Sequence, residues 1–311
     1  MNNVPKIAIL VVLYNQEQKI YNLINSIKKQ TYSNYRLYLI NNGENTKPVS
    51  IFLENFPDSV LLPNIGNVGF GKGNNLLAEK AINDGFDYLY VLNPDMELNY
   101  DTIEKLVKIC VDDNSIGMCN CTILYGCKDK ELQKIQLFGC KANYKTQSKV
   151  FLFSRKYLTD IILHDILEVE YINAGSLFIM SDVAKKVGLF DEDFFMYNEE
   201  LDLAKRVKAA GYKIVVTSRT KIWHHHNWDK NNLNGYNIMY YYMTRNRYLY
   251  FYKYKLYFYL IFDLLLQILS FPVKLKMFFK LGSVKILKYY YLGLIRGLLK
   301  EKGKTNICFE P

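Results

Sequence analysis

Apolar residues in the first half of the chain come in short runs separated by stretches with helical spacing. The run from Ile7 to Leu13 is unbroken, which reads as a first buried strand over residues 6–13. The pattern then predicts a helix over 17–30, a strand over 36–40, a helix from about Val49 and a strand near Val60. Beyond these it predicts a helix over 74–83, a strand over 87–92, a helix over 101–111 and a strand over 116–124. Such alternation argues for an α/β fold with a mainly parallel, right-handedly wound central sheet flanked by helices. Ligands of these sheets bind beyond the carboxyl ends of the strands, so Tyr14-Asn15, Asn41-Asn42-Gly43 and Asn93-Pro94-Asp95 become candidates.

Residues 135–170 show no regular pattern and no recognisable chemistry. A strand over 176–180, a helix over 182–187, a helix over 199–210 closed by Gly211, and a strand over 213–223 follow. Past Tyr236 the composition turns aromatic and basic. This change divides the chain into an α/β domain over 1–235 and a helical tail over 236–311.

Charge sharpens that division. The net charge is +10, and from Tyr240 onward thirteen Lys and Arg oppose only Asp263, Glu301 and Glu310, so the tail accounts for all of it. A basic segment rich in Tyr, Phe and Leu suits an anionic membrane surface better than nucleic acid. Residues 257–273 form an apolar stretch interrupted by Asp263, Gln267 and Pro272. A spanning helix needs about 20 apolar residues and a central charge costs about 3 kcal/mol, so a helix lying in the membrane interface is expected. Lys253, Lys255, Lys274, Lys276 and Lys280 flank it, and Tyr248, Tyr250, Tyr252 and Tyr254 suit the headgroup boundary. The alternative is a helical subdomain packed on the α/β domain or on a second copy of the chain. The amino terminus lacks a signal-peptide cleavage site, and the six cysteines without Cys-x-x-Cys spacing read as reduced buried thiols. A cytoplasmic protein, peripheral at the inner face of the cell membrane, is expected.

Four motifs could carry chemistry. Asp95, directly after a strand, is either a ligand for a divalent cation that also binds substrate phosphates or a helix cap. The run Asn64 to Asn75 holds Gly66, Gly69, Gly71 and Gly73, but Gly73 stands where a nucleotide-triphosphate loop needs Ser or Thr, and the dinucleotide-binding spacing fails as well. A tight turn opening a helix at Asn74, close to a ligand, is expected. Glu199, Glu200 and Asp202 crowd a helix amino terminus after Phe194-Phe195-Met196, which suits either the helix dipole or a general base in an apolar setting. His224 and His226 share one side of an extended segment, as a metal pair or as surface residues.

In this order the segments resemble family 2 glycosyltransferases of the GT-A fold, particularly the rhamnosyltransferase-like members. The resemblance covers residues 6–228 and rests on Tyr14-Asn15, Asn42-Gly43, Asn67-x-Gly69-Phe70-Gly71-x-Gly73-x-Asn75 and Leu92-Asn93-Pro94-Asp95. It continues with Gly175, Gly188 to Tyr197, Glu199-Glu200-x-Asp202-Leu203 and Trp223-His224. It implies an inverting transfer of a sugar, rhamnose first among the choices, from a nucleoside diphosphate donor to a glycan or lipid-linked glycan acceptor. It further implies Asp95 and His224 as ligands of Mn2+ or Mg2+, and Glu200 as the base, with Glu199 and Asp202 beside it. Tyr14, Asn15, Asn41, Asn42, Gly43, Asn67, Gly69, Gly73, Asn75, Asn93 and Asp95 fall to the donor. Asn41 departs from the aspartate usual in the family, and Glu200 adds a methylene where aspartate is usual. Processive synthases of the same fold carry Gln-x-x-Arg-Trp, and neither Trp223 nor Trp228 follows an arginine, so transfer of one or a few sugars is expected. From another class, a noncatalytic nucleotide-sugar or membrane-binding module is the alternative.

Overall fold

The computed structural model describes residues 4–15, 17, 20–128, 133–225, 233–280 and 285–309. In chain order the elements are β1 (Ile7–Leu13), α1 (Ile20–Lys28), β2 (Tyr35–Asn41), α2 (Lys47–Asn55), β3 (Val60–Leu62), α3 (Phe70–Asn83), β4 (Tyr88–Leu92) and β5 (Met96–Leu98). Next come α4 (Thr102–Asp112), β6 (Ile116–Tyr125), β7 (Ile135–Leu137), β8 (Cys140–Asn143), β9 (Ser148–Phe151), β10 (Ile166–Glu168), β11 (Ser176–Met180), α5 (Ser181–Val187), α6 (Glu199–Ala209) and β12 (Lys213–His224). Among the described residues four helices complete the chain, α7 (Leu233–Lys253), α8 (Tyr257–Leu269), α9 (Phe271–Lys280) and α10 (Lys285–Leu298), and the division expected after residue 235 falls within the first turn of α7.

The main sheet runs β10-β12-β6-β11-β4-β1-β2-β3. Strands β3, β2, β1 and β4 are mutually parallel, and β6 is parallel to β12. Only β11 interrupts this centre, lying antiparallel between β4 and β6. Strand β1 shows why an unbroken apolar run was needed. Ile7, Ile9, Val11 and Leu13 join the core beneath α1, α2 and α4, while Ala8 and Leu10 join the core beneath α3, α5 and α6. Each fully buried aliphatic side chain contributes about 1.5–3 kcal/mol, and a polar residue at either parity would forfeit it.

Three expectations change. Helix α3 begins at Phe70 rather than Asn74, because Gly69, at φ +88°, turns the chain four residues earlier. The irregular span over 135–170 contains β7 to β10; β8 and β9 form a hairpin while β7 and β10 pair with β6 and β12, and strands of three or four residues are too short for periodicity to mark them. Of the helix expected over 17–30, Ile20–Lys28 is helical, Glu17, Lys29 and Gln30 are not, and Gln18 and Lys19 lie outside the described residues. The cysteines are free, and Cys110, Cys119, Cys121 and Cys140 are buried.

Helix α7 lies against the α/β half, burying Arg245 and Asn246 there, and α10 packs along it. Gly293 and Gly297 permit that close approach, since a Cβ at either position would meet the backbone of Tyr241 or Arg245. Helix α8 is amphipathic in an inverted sense. Its inward stripe is Leu260, Asp263 and Gln267, whereas Phe258, Ile261, Phe262, Leu265, Ile268 and Leu269 face outward and exposed. Among the described residues no single helix is long and apolar enough to cross a membrane, while α8 and α9 together would be, across a 61° bend.

Candidate active site at the carboxyl edge of the sheet

The ends of β1, β2 and β4 place three asparagine-rich turns side by side. Asn41 accepts from Gly43 N at 3.0 Å through Oδ1 and donates to Asn45 O at 3.1 Å through Nδ2. Each end of this amide keeps one further hydrogen-bonding position for a ligand. Asn15, at φ +50°, accepts from Asn45 N at 3.3 Å, and its side chain lies where a Cβ on Gly43 would be. Tyr14 is exposed next to it. Asn42 is buried and donates to Gly69 O at 2.9 Å, tying the β2 turn to the glycine-rich loop.

In that loop Asn67 Oδ1 accepts from Gly69 N at 3.0 Å, and Phe70 N donates to Phe195 O at 3.0 Å. Gly73 packs against Val12, where a Cβ would come within 3.1 Å. Asn75 bridges α3 to the following half of the chain, donating to Phe190 O at 2.8 Å and accepting from Phe190 N at 2.9 Å. Gly73 and Asn75 thus act as struts of the loop, while Asn67 and Gly69 form its turn.

Strand β4 delivers Asn93 and Asp95. Asn93 N donates to Gly175 O at 2.9 Å, and Asp95 O accepts from His225 N, also at 2.9 Å. Pairing of His224 with Met96 across β12 and β5 sets His224 Nε2 3.4 Å from Asp95 Oδ1. On its other side the ring meets Gln136 Oε1 at 2.9 Å. An amide oxygen accepts only, so Nδ1 carries a hydrogen, and in the neutral ring it is the Nε2 lone pair that faces the carboxylate. Two such acceptors side by side suit a cation between them, and the Gln136 contact is the usual outer support of a ligating histidine. The histidine run splits at this point: His225 turns to Glu97 Oε2 at 2.8 Å, and His226 lies outside the described residues. No group of three His, Cys, Asp or Glu with metal geometry occurs among the described residues. Magnesium and manganese sites often draw their remaining ligands from phosphates and water, so a two-residue protein contribution fits. Gln136 and Glu97 were absent from the sequence reading; both sit on strands too short to carry a pattern.

The acidic cluster divides into three environments. Asp202, 0% exposed, binds Arg206 Nε at 2.7 Å, Tyr254 OH at 2.7 Å and Lys253 Nζ at 2.5 Å. Its carboxylate anchors α7 to α6. Glu199 is 4% exposed, and its Oε2 has no hydrogen-bond partner among the described residues. Burial, and then the charge of Glu200, push the Glu199 carboxyl well above the usual glutamate range. Burial and the two glutamates together also push the Tyr197 hydroxyl up to about 12 and raise that of Tyr171. Glu200 is half-buried beside these rings. Glu199 is thus biased towards keeping a proton and ion pairing occupies Asp202, whereas Glu200 is the one of the three that is neither buried nor held by a cation among the described residues.

The sequence pattern of glycosyl transferase family 2 matches residues 8–181. The chain is similar to the low-salt glycan biosynthesis hexosyltransferase Agl10 of Haloferax volcanii, at 23% identity over 67% of this chain and 63% of that protein. It is similar to the rhamnosyltransferase WbbL of Escherichia coli, at 23% identity over 48% of this chain and 58% of that protein. It also resembles the N-acetylglucosaminyl-diphospho-decaprenol L-rhamnosyltransferase of Mycobacterium tuberculosis, at 22% identity over 70% of this chain and 76% of that protein. The chain therefore spans about three-fifths of the length of the first two of these relatives. The crystal structure of GalNAc-T7 with UDP, GalNAc and Mn2+ has the same fold, with a TM-score of 0.59 at 13% identity over 80% of this chain and 51% of that one.

Proposed function

The chain belongs to glycosyl transferase family 2, and from that premise we propose that it moves a sugar from a nucleoside diphosphate donor to a hydroxyl of a lipid-linked glycan, inverting the anomeric centre. The observation that carries this reading is the convergence at one sheet edge of Asp95, His224 and the asparagine turns, with Glu200 on the loop and helix tied to that edge through Phe195. A divalent cation, Mn2+ or Mg2+, held by Asp95 and His224 would neutralise the charge that grows on the departing diphosphate. Asn41, Asn15 and the turn at Gly43 receive the base and ribose; Asn93 and the β4 turn face the diphosphate. The Glu200 carboxylate accepts the acceptor's proton as the hydroxyl oxygen attacks the anomeric carbon from the side opposite the diphosphate. Burial and the neighbouring charge of Glu200 raise the Glu199 carboxyl well above the usual glutamate range, which disfavours a second negative charge beside Glu200.

Rhamnose is the first sugar to test, on the similarity to rhamnosyltransferases. The outward apolar face of α8 and α9, flanked by lysines, supports a seat on the anionic cytoplasmic face of a membrane, where a lipid-linked acceptor resides. A screen of nucleoside diphosphate sugars, reading release of nucleoside diphosphate with and without Mn2+ or Mg2+, tests the proposal. Asp95→Ala should lose the response to metal and weaken donor binding. No turnover of any donor, or a metal response unchanged in Asp95→Ala, would count against it.

A further inference from the structure

The loop that delivers Glu199 and Glu200 is strained. Phe195, Tyr197 and Asn198 have φ of 63°, 65° and 73°, and each such residue costs about 1–2 kcal/mol relative to ordinary backbone. Such a loop persists only if something outside it holds it.

Helix α7 supplies the hold. Asn246, fully buried, directs Nδ2 to three carbonyl oxygens of the loop: Phe194 at 2.9 Å, Met196 at 2.7 Å and Tyr197 at 2.8 Å. The orientation of this amide is determined by its neighbour. Arg245 donates to Asn246 Oδ1 from Nε at 3.0 Å and from Nη2 at 2.9 Å, so the oxygen faces the guanidinium and the NH2 must face the loop. The same guanidinium donates to Phe194 O at 2.9 Å and to Gly303 O at 2.6 Å. One turn of α7 is thereby fastened to both the loop and the carboxyl-terminal segment. The next two residues reach the other way: Arg247 pairs with Asp263 of α8 at 2.6 Å, and the Tyr248 hydroxyl donates to Asp263 at 2.7 Å.

We propose that Asn246 is a positioning residue for sugar transfer: its amide, oriented by Arg245, holds the left-handed loop that aims Glu200 at the acceptor hydroxyl. This rests on the reading of Glu200 as the base. Among the described residues the side chain of Asn246 bonds the loop and Arg245 and not the asparagine turns or the Asp95 and His224 pair, so its loss should spare the donor.

The test uses the full chain with Asn246→Asp, which places a carboxylate against three carbonyls, and Asn246→Ser, which keeps one short donor. Both should lower kcat, by about 100-fold and about 10-fold, since a displacement near 1 Å of a reacting group has that effect. The donor KM and the calorimetric affinity for nucleoside diphosphate should stay within about 3-fold, a split that general destabilisation would not give. Hydrogen exchange at the amides of residues 195–200 should accelerate in both variants, a readout independent of turnover. If neither variant folds, Arg245→Lys, which keeps the charge and loses the fork, is expected to show the same split more mildly. A folded variant with wild-type kcat and wild-type exchange overturns the proposal. A wild-type protein inactive with every donor, but with exchange accelerated in the variants, would instead defeat the assignment of function and leave the hold on the loop standing.

Discussion

Replacing Gly69 with alanine probes the join between the donor side of the site and the acid-bearing loop. Gly69 has φ +88° and ψ 174°, a region that residues with a Cβ enter at a cost of about 1–3 kcal/mol. An added Cβ would stand 2.5 Å from Cδ2 of Phe195 and 2.6 Å from its carbonyl oxygen. Forcing a methyl into packed space adds about 1–3 kcal/mol. The Phe195 carbonyl cannot retreat easily, because Phe70 N bonds it and Asn246 grips the carbonyls on either side. The expected loss is therefore about 2–6 kcal/mol, a large share of the 5–15 kcal/mol that ordinarily separates folded from unfolded protein. Gly66→Ala is the matched control. Gly66 has φ +82° but no atom within 4 Å of its virtual Cβ, so only the backbone cost of about 1–2 kcal/mol applies. Urea unfolding followed by circular dichroism measures both, and donor turnover is read on whatever remains folded. Equal losses in the two variants, or a Gly69→Ala protein within about 0.5 kcal/mol of wild type, would refute the steric reasoning.

Glu200→Gln should keep the fold and donor binding but lower turnover on the order of 100-fold or more, because an amide cannot take the acceptor's proton; near-normal turnover would remove Glu200 as the base. Glu199 binds its proton more tightly in the fold than in the unfolded chain, so its contribution to stability is full below the ordinary value of 4.5 and is lost as pH rises through the raised folded value. Glu199→Gln, which mimics the protonated acid, should thus gain stability over wild type by a margin that widens as pH rises above the ordinary value of 4.5 in denaturant titrations; a constant margin would contradict the assignment. Leu269→Asp combined with Val273→Asp, at positions 75% and 71% exposed, should abolish sedimentation with anionic vesicles while leaving turnover of a soluble acceptor intact. Full retention on the vesicles would dismiss the membrane seat. These surface changes test that seat better than truncation before α7, which would also remove Asn246 from the loop.

Sequence by itself determined the features that depend on local burial or on the end of a strand. The unbroken run Ile7–Leu13 could only be a strand covered on both faces, and Asn93-Pro94-Asp95, following β4 directly, had to emerge at the carboxyl edge. The charge of the tail and its apolar stretch were likewise plain, since composition does not depend on partners. What tertiary structure alone decided was how residues far apart in the chain share hydrogen bonds. Asp202 became an anchor for α7 because Lys253 and Tyr254 arrive from some fifty residues away, and the Glu199 carboxyl is pushed up because the fold buries it beside Glu200. Three acids within one helical turn look alike in sequence; their surroundings separate them. Gln136 and Asn246 were invisible for the same reason, as a single amide in a short strand or an aromatic helix carries no periodic signal. Asp263 illustrates the limit on the tail. In the sequence it interrupts an apolar stretch, whereas in the fold Arg247 and Tyr248 satisfy its carboxylate on the inner side and leave the outer face of α8 wholly apolar. Periodicity records that a position is buried, and only the folded chain supplies the partner that makes burying a charge tolerable.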